Sequence, residues 1–332
     1  MEFNSKIIFD GSISFEEKAR RVFDFQKMHN LVYNKFCKAI GIQAVQEVHE
    51  IPLFPIQAFK DVTVVSQPNS KFKIQNLEFF ESSGTSGMSR SRHYITDPEL
   101  YKQSILQGMN QFYELDDFVI LAYTPGYNSN PNSSLVWMLN VLIEQDKTRR
   151  SRFLELGEAI NKNLIQEIKS TGKKVMLFGA AFGLLDLIEL GGVDLPKDSI
   201  IMETGGMKTH RREMTKAQLH KQLANGFNLP KENIHSEYGM TELLSQAYSF
   251  GNEWFECVPW MKVSIRNPEN PLQEMPFGEE GLIGIIDLAN VYSCSFLLTG
   301  DKGLQNENGE FQVLGRWNPM NLRGCNFLID QD

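Results

Sequence analysis

The stretch Phe79-Phe-Glu-Ser-Ser-Gly-Thr-Ser-Gly-Met-Ser-Arg90 decides how this chain is read. An apolar segment runs directly into small residues and hydroxyls. Such a loop exposes backbone N–H and side-chain O–H groups in a concave nest that suits phosphate oxygens. Taken alone, the same run is equally an ordinary Ser/Gly surface loop. It is not a Walker A loop, because the required Lys-Ser/Thr pair is missing.

On either side of this stretch, short apolar runs alternate with helical patterns. Phe118 to Tyr123, Lys174 to Phe178 and Ser199 to Met202 read as strands. Pro98 to Tyr113 reads as a helix, with Asp97 as its cap and Pro98 in its first turn. Alternation of this kind predicts an α/β body whose sheets are covered by helices. Further towards the N-terminus, Phe15, Ala19, Val22, Phe23, Met28, Leu31, Val32 and Phe36 recur at helical spacing. They predict one long amphipathic helix from Ser14 to Ile40, opened by a Ser14/Glu17 capping box. Ile51 to Pro55 must be extended, since proline disfavours helix in the residue before it. Beyond Phe255 the texture turns β-rich: Val258 to Ile265, Gly281 to Leu288, Ser295 to Thr299 and Phe311 to Leu314. The expected organisation is an α/β body over residues 1–254 and a smaller β subdomain over 255–332.

The 332 residues, 42% of them hydrophobic and 22% charged, place the chain among globular proteins and exclude collagen-like, disordered and disulfide-scaffold classes. With 33 basic against 41 acidic residues the net charge is −8, which argues against nucleic acid or an anionic membrane as a partner. Cys37, Cys257, Cys294 and Cys325 form no CxxC pair and have no histidine at metal-ligand spacing, so they read as reduced thiols. The N-terminus lacks an apolar signal core, and no window approaches a membrane span. A cytoplasmic location is expected.

Three more segments carry chemistry. Ile234-His-Ser-Glu-Tyr-Gly-Met-Thr-Glu-Leu243 offers an aromatic face, a close backbone approach and a hydroxyl–carboxylate pair able to hold Mg²⁺. Its bland reading is a strand end with a turn. In Leu298-Thr-Gly-Asp-Lys-Gly303, the ionised Asp301 could accept from both hydroxyls of a ribose. The fourth segment is Gly315-Arg-Trp-Asn-Pro-Met-Asn-Leu-Arg-Gly-Cys-Asn326. Singly these are commonplace; their order and spacing together are not.

In that order the segments resemble the adenylate-forming superfamily of acyl and aryl ligases, over residues 79 to 326. Within it, the resemblance is to the LuxE-type acyl-protein synthetases of bacterial bioluminescence. It rests on Pro55-Ile-Gln-Ala-Phe-Lys60, Phe79 to Gly87, Asn132-Ser-Ser-Leu-Val-Trp-Met138, Glu203-Thr-Gly-Gly-Met-Lys208 and Arg323-Gly-Cys325. The resemblance implies ATP-dependent activation of a fatty or other carboxylic acid to an acyl-adenylate, with Mg²⁺. It implies transfer of the acyl group to a cysteine of the enzyme, and onward to a partner such as an acyl reductase.

Carried over by motif position, Ser82, Ser83, Thr85 and Ser86 contact the β- and γ-phosphates, and Gly84 and Gly87 admit the backbone. Arg90 and Arg92 stand near where many relatives carry a lysine. Gly205 and Gly206 lie against the adenine, on which Tyr238 stacks, with Gly239 beside it. Thr241 and Glu242 form the Thr-Glu pair, Glu242 being the Mg²⁺ ligand. Asp301 holds the ribose, and Arg316 approaches ribose or phosphate. Most superfamily members continue into a mobile C-terminal domain bearing a catalytic lysine; the resemblance implies a chain without it. Lys208, Arg316 or Arg323 would then neutralise the α-phosphate.

Cys325, seven residues before the last, falls where the LuxE-type enzymes accept the acyl group, and Arg323 favours its thiolate. Its bland alternative is a small buried hydrophobe. Two further functions remain open: a ligase that passes the acyl group directly to CoA or a carrier protein, and a non-catalytic nucleotide-binding protein. His93 and His210 read as polar loop or capping residues, Lys60 as a charge that orients a loop or an acidic partner surface, and Cys37 as core. Asn128 to Ser134 is a polar loop or a wall of the acyl pocket, to which Val136, Trp137, Met138 and Phe182 would add apolar surface.

Overall fold

The computed structural model describes residues 3–66, 77–82, 90–127, 130–191, 193–205 and 214–317. At its centre is a sheet whose parallel strands are β4 (Phe118–Tyr123), β5 (Arg152–Phe153), β6 (Lys174–Ala180), β7 (Ile200–Thr204) and β8 (Ile234–Tyr238). Antiparallel β9 (Ala247–Phe250) and β10 (Glu256–Cys257) extend one edge, giving the order β10-β9-β8-β7-β6-β4-β5. β4 is buried at every position, which is why it reads as a continuous apolar run rather than an alternating one.

Its two faces feed two cores. Val119, Leu121, Val175, Leu177 and Ile201 pack beneath α5 (Lys162–Ser170), α6 (Ala181–Glu189) and α7 (Lys216–Gly226). Ile120, Ala122, Met176, Phe178 and Met202 face the other way, towards α3 (Pro98–Met109), α4 (Ser134–Glu144) and a second sheet. That second sheet contains β1 (Phe54–Pro55), β11 (Met261–Arg266), β12 (Gly281–Asp287), β13 (Phe296–Gln305) and β14 (Phe311–Arg316). β1 runs parallel to β13, while β14, β12 and β11 are antiparallel to their neighbours. The N-terminal β1 thus belongs to the C-terminal sheet, and β10, beyond residue 255, belongs to the central one. A separate hairpin pairs β2 (Glu78–Glu81) with β3 (Arg92–Ile95), the strands that flank the hydroxyl-rich segment in sequence.

One expected element divides. Ser14 to Ile40 is not a single helix but α1 (Phe15–His29) and α2 (Leu31–Ala39), separated at Asn30. The cause is that Asn30 is extended and fully buried, accepting from the Tyr33 N–H at 3.0 Å to cap α2 and donating to the Ser293 carbonyl at 2.7 Å. Ser14 caps α1 as expected, but the Glu17 carboxylate turns to Arg21 instead of closing a capping box. Cys37 and Cys294 are buried, and both are free thiols, as is Cys257. Among the described residues no helix is long and apolar enough to cross a membrane.

Candidate functional site

The carboxyl ends of parallel strands are where α/β sheets receive ligands. At the end of β7, Gly205 has φ +75°, a conformation an L side chain rarely adopts. At the end of β8 lies Tyr238, followed by Gly239, where a Cβ would stand 2.3 Å from a carboxylate oxygen of Glu237. A side chain there would have to displace that carboxylate, and the turn leads into Thr241 and Glu242.

Tyr238 is buried against Phe255 and Phe311, with ring centroids 5.9 and 5.5 Å away. Its hydroxyl donates to Asp301 Oδ2 at 2.9 Å. Burial and the Asp301 carboxylate hold the phenol well above its ordinary pKa, so it remains a donor. Arg316 Nε reaches Asp301 Oδ1 at 3.0 Å, the two residues being register partners across β13 and β14. The Pro55–Lys60 segment follows β1 onto the same place: Gln57 and Arg316 flank Gly300, with atoms 3.3 and 3.4 Å from where its Cβ would be. Tyr238, Asp301 and Arg316, taken from separate motifs, are therefore joined through Asp301, by a hydrogen bond on one side and an ion pair on the other.

Glu242 is buried and receives the Ser91 hydroxyl. Burial raises its pKa, while the Ser91 hydroxyl and the charges of Arg316 and Lys60 oppose the rise. Ser91 also closes the neck of the hydroxyl-rich loop: its carbonyl accepts from Ser82 N at 3.1 Å and its own N–H donates to Ser82 Oγ at 3.0 Å. Arg90 and Arg92 both pair with Glu81, at 3.6 and 2.8 Å. Together with Phe59, Lys60 and Tyr94 they line a cleft of about 490 Å³ beside the hairpin. Among the described residues no group of three or more His, Cys, Asp or Glu is placed to hold a metal ion. One carboxylate suits Mg²⁺ delivered with a polyphosphate, since this ion keeps waters and phosphate oxygens as its remaining ligands.

His93 differs from expectation. It is neither a loop nor a capping residue: it lies fully buried in β3, with Nδ1 2.8 Å from the Thr241 carbonyl oxygen. The period-two pattern Ser91, His93, Ile95, all buried, was the available signal. Asn132 accepts from Glu81 N at 2.9 Å and Ser133 caps α4, tying that segment to the hairpin. Trp137 stacks on Tyr101 at 4.7 Å, Met138 is core, and Phe182 lies against Tyr127. Ser83, Gly84, Thr85, Ser86, Gly87, Gly206, Lys208, His210, Arg323 and Cys325 lie outside the described residues.

Sequence reading missed two supports. Asp287, fully buried, accepts from the Leu244 and Ser245 N–H groups at 2.8 and 3.0 Å and from Ser245 Oγ at 2.6 Å, fixing the turn that carries Glu242. Behind β7 and β8, the Glu203 carboxylate receives the Ser236 hydroxyl, with His220 Nε2 3.1 Å from that hydroxyl. On the opposite face Thr204 donates to Glu237, whose pKa is pushed up to about 7, chiefly by burial.

The fold is similar to that of 2-hydroxyisobutyryl-CoA ligase solved with 2-HIB-AMP and CoA (TM-score 0.61, 16% identity, 90% of this chain and 73% of that one). It is also similar to ATP-bound MatB from Rhodopseudomonas palustris (TM-score 0.51, 16% identity, 74% of this chain and 49% of that one). Over 331 residues the chain is 24% identical to the long-chain-fatty-acid–luciferin-component ligase of Vibrio harveyi, covering 93% of this chain and 85% of that protein. Residues 18–332 match the family described as acyl-protein synthetase, LuxE, and the chain belongs to that family.

Proposed function

We propose that the chain activates a carboxylic acid with ATP and then carries the acyl group on its own Cys325. The observation that supports it is the Tyr238–Asp301–Arg316 chain standing beside Glu242 and the Ser82–Ser91 neck, in a member of the LuxE family. A carboxylate is already a nucleophile, so the first step needs charge stabilisation and alignment rather than a base. A substrate oxygen attacks the α-phosphorus, the bond to pyrophosphate breaks, and an acyl-adenylate results.

In this reading Tyr238, Gly239 and the Gly205–Gly206 segment hold the adenine, and Asp301 with Arg316 holds the ribose. Ser82, Ser83, Thr85 and Ser86 contact the outer phosphates, Gly84 and Gly87 admit the backbone, and Thr241 stands beside them. Glu242 holds Mg²⁺, which when bound neutralises phosphate charge. Arg316, paired with Asp301 and acting electrostatically on Glu242, supplies positive charge towards the phosphates in this reading, as Lys208 or Arg323 could. In the second step the Cys325 thiolate attacks the acyl carbon, AMP leaves, and a thioester forms that stays reactive for onward transfer. The substrate is a fatty acid, by analogy with the Vibrio harveyi relative, and the receiver is a partner such as an acyl reductase. Free thiols suit a reducing, cytoplasmic setting.

Intact mass after incubation with ATP, Mg²⁺ and a panel of fatty and aryl acids tests the whole scheme. Cys325→Ser is expected to keep carboxylate-dependent ATP/pyrophosphate exchange and to lose the hydroxylamine-sensitive acyl adduct. Undiminished labelling would overturn the acceptor role. Thioester formation on added CoA independent of Cys325 would make the chain a CoA ligase. ATP binding without exchange for any acid would make it a non-catalytic nucleotide binder.

A further inference from the structure

The turn bearing Thr241 and Glu242 is gripped at successive peptide groups from outside. The Thr241 carbonyl meets His93 Nδ1 at 2.8 Å, the Glu242 carbonyl accepts from Asn290 Nδ2 at 2.7 Å, and the Leu244 and Ser245 N–H groups donate to Asp287. Asn290 and Asp287 belong to a buried network that also includes Gln26, Ser104 and Trp260, enough to give them a purely architectural role. His93 is different, because it lies in β3 two residues after Ser91, which immediately precedes the strand, and so shares that residue's face of the hairpin. From one face, Ser91 takes the side chain of Glu242 and His93 takes the carbonyl of Thr241. The two motifs joined this way lie 151 residues apart.

The imidazole is costly where it stands. A carbonyl acceptor requires the proton on Nδ1, which leaves Nε2 as an acceptor. That atom is buried with no partner among the described residues. His93 and Thr96 border a void of only about 10 Å³. Burial keeps the ring neutral, with its pKa lowered to about 4. Packing against Phe59, whose ring is 5.9 Å away, would be served as well by a phenyl group. What a phenyl lacks is the Nδ1–H.

We propose that His93 is a positioning residue for adenylation, whose Nδ1–H, acting with Ser91, locks the hairpin of the hydroxyl-rich loop to the Thr241–Glu242 turn in one mutual register. The proposal rests on the nucleotide site assigned above. It concerns how two phosphate-facing segments are kept aligned, a demand under which small misplacements lower rates by orders of magnitude.

Three variants separate the donor from the packing. His93→Phe keeps the ring volume and deletes the donor. His93→Asn places an amide N–H close to the Nδ1 position, and His93→Gln places one further out, near Nε2. For ATP/pyrophosphate exchange, kcat is expected to fall about 10- to 100-fold in the Phe and Gln variants, with KM for the carboxylic acid little changed; Asn should recover most of the rate. Hydrogen–deuterium exchange of the peptide spanning residues 239–246, read without substrate, is expected to speed up in Phe and Gln and to return towards wild type in Asn. Unchanged protection in the Phe variant, or equal rates for Asn and Gln, would overturn the positioning role. Absence of pyrophosphate exchange in the wild-type protein would instead overturn the adenylation reading, and amide exchange would still decide whether His93 holds the turn.

Discussion

The Ser91 hydroxyl donates to the Glu242 carboxylate, and both residues are buried, at 2% and 7% exposure. The neck of the hydroxyl-rich loop is thereby fastened to the carboxylate that the proposed mechanism gives to Mg²⁺. A hydrogen bond to a charged group contributes about 1.5–3 kcal/mol. Ser91→Ala is accordingly expected to raise the Mg²⁺ concentration needed for half-maximal pyrophosphate exchange about tenfold, and Ser91→Thr to restore it. Titrating exchange against Mg²⁺ at fixed ATP checks this; an unchanged midpoint in the alanine variant would separate Glu242 from the metal.

Asp301 accepts from the Tyr238 hydroxyl on one oxygen and pairs with the Arg316 guanidinium through the other. Asp301→Ala removes a ribose acceptor and also takes from the buried Tyr238 phenol the carboxylate it donates to, leaving it the Thr299 hydroxyl. Its KM for ATP is expected to rise more than tenfold, while Tyr238→Phe, which keeps the ring face, should change it by a factor of about two to five. Thermal shifts with AMP provide the same comparison without turnover. Equal effects of the two variants would assign the binding to the tyrosine hydroxyl rather than to Asp301.

What was legible in the chain was what obeys local periodicity. β4, β6 and β7 appear as apolar runs because both of their faces are covered, and Asp97–Pro98 marks the start of α3 through cap chemistry. Tyr238, Thr241, Glu242, Asp301 and Arg316 were nameable because each sits in a short segment of recognisable order. The division at Asn30 was not, since it depends on a hydrogen bond to Ser293, 263 residues away. His93 and Asp287 escaped for the same reason. An isolated histidine or aspartate gains its role only when tertiary structure brings a distant main chain to it.

Glu237 makes stability depend on pH. Its folded pKa of about 7 lies above the ordinary 4.5 because of burial first and then the nearby Glu203 carboxylate, with Thr204 opposing. The folded chain therefore holds a proton that the unfolded chain releases near pH 4.5. This contribution to folding is fully present below that pH and is lost as pH rises through 7. Glu237→Gln still accepts from Thr204 but cannot ionise. At pH 8.5 it should be more stable than wild type by on the order of 3 kcal/mol, and the difference should vanish near pH 4.5. Urea unfolding at the two pH values checks this, and a variant less stable at pH 8.5 would contradict it.

Asp287 joins stability to catalysis. Its carboxylate accepts from Leu244 N, Ser245 N, Ser245 Oγ and Ala289 N at 2.6 to 3.1 Å, all within the buried layer between the two sheets. Asn is nearly isosteric but turns an N–H₂ towards groups that are themselves donors, so Asp287→Asn exchanges at least one hydrogen bond for a clash of like partners. A loss of about 2–4 kcal/mol is expected. Because Leu244 and Ser245 lie just beyond Glu242 in the turn, the folded fraction should also adenylate more slowly, since its turn is released on one side while Asn290 and His93 still hold the other. Measuring unfolding free energy together with exchange rate per folded molecule distinguishes the two effects. Full specific activity in a destabilised variant would reduce Asp287 to architecture and leave the aiming of Glu242 to the carbonyl grips of His93 and Asn290.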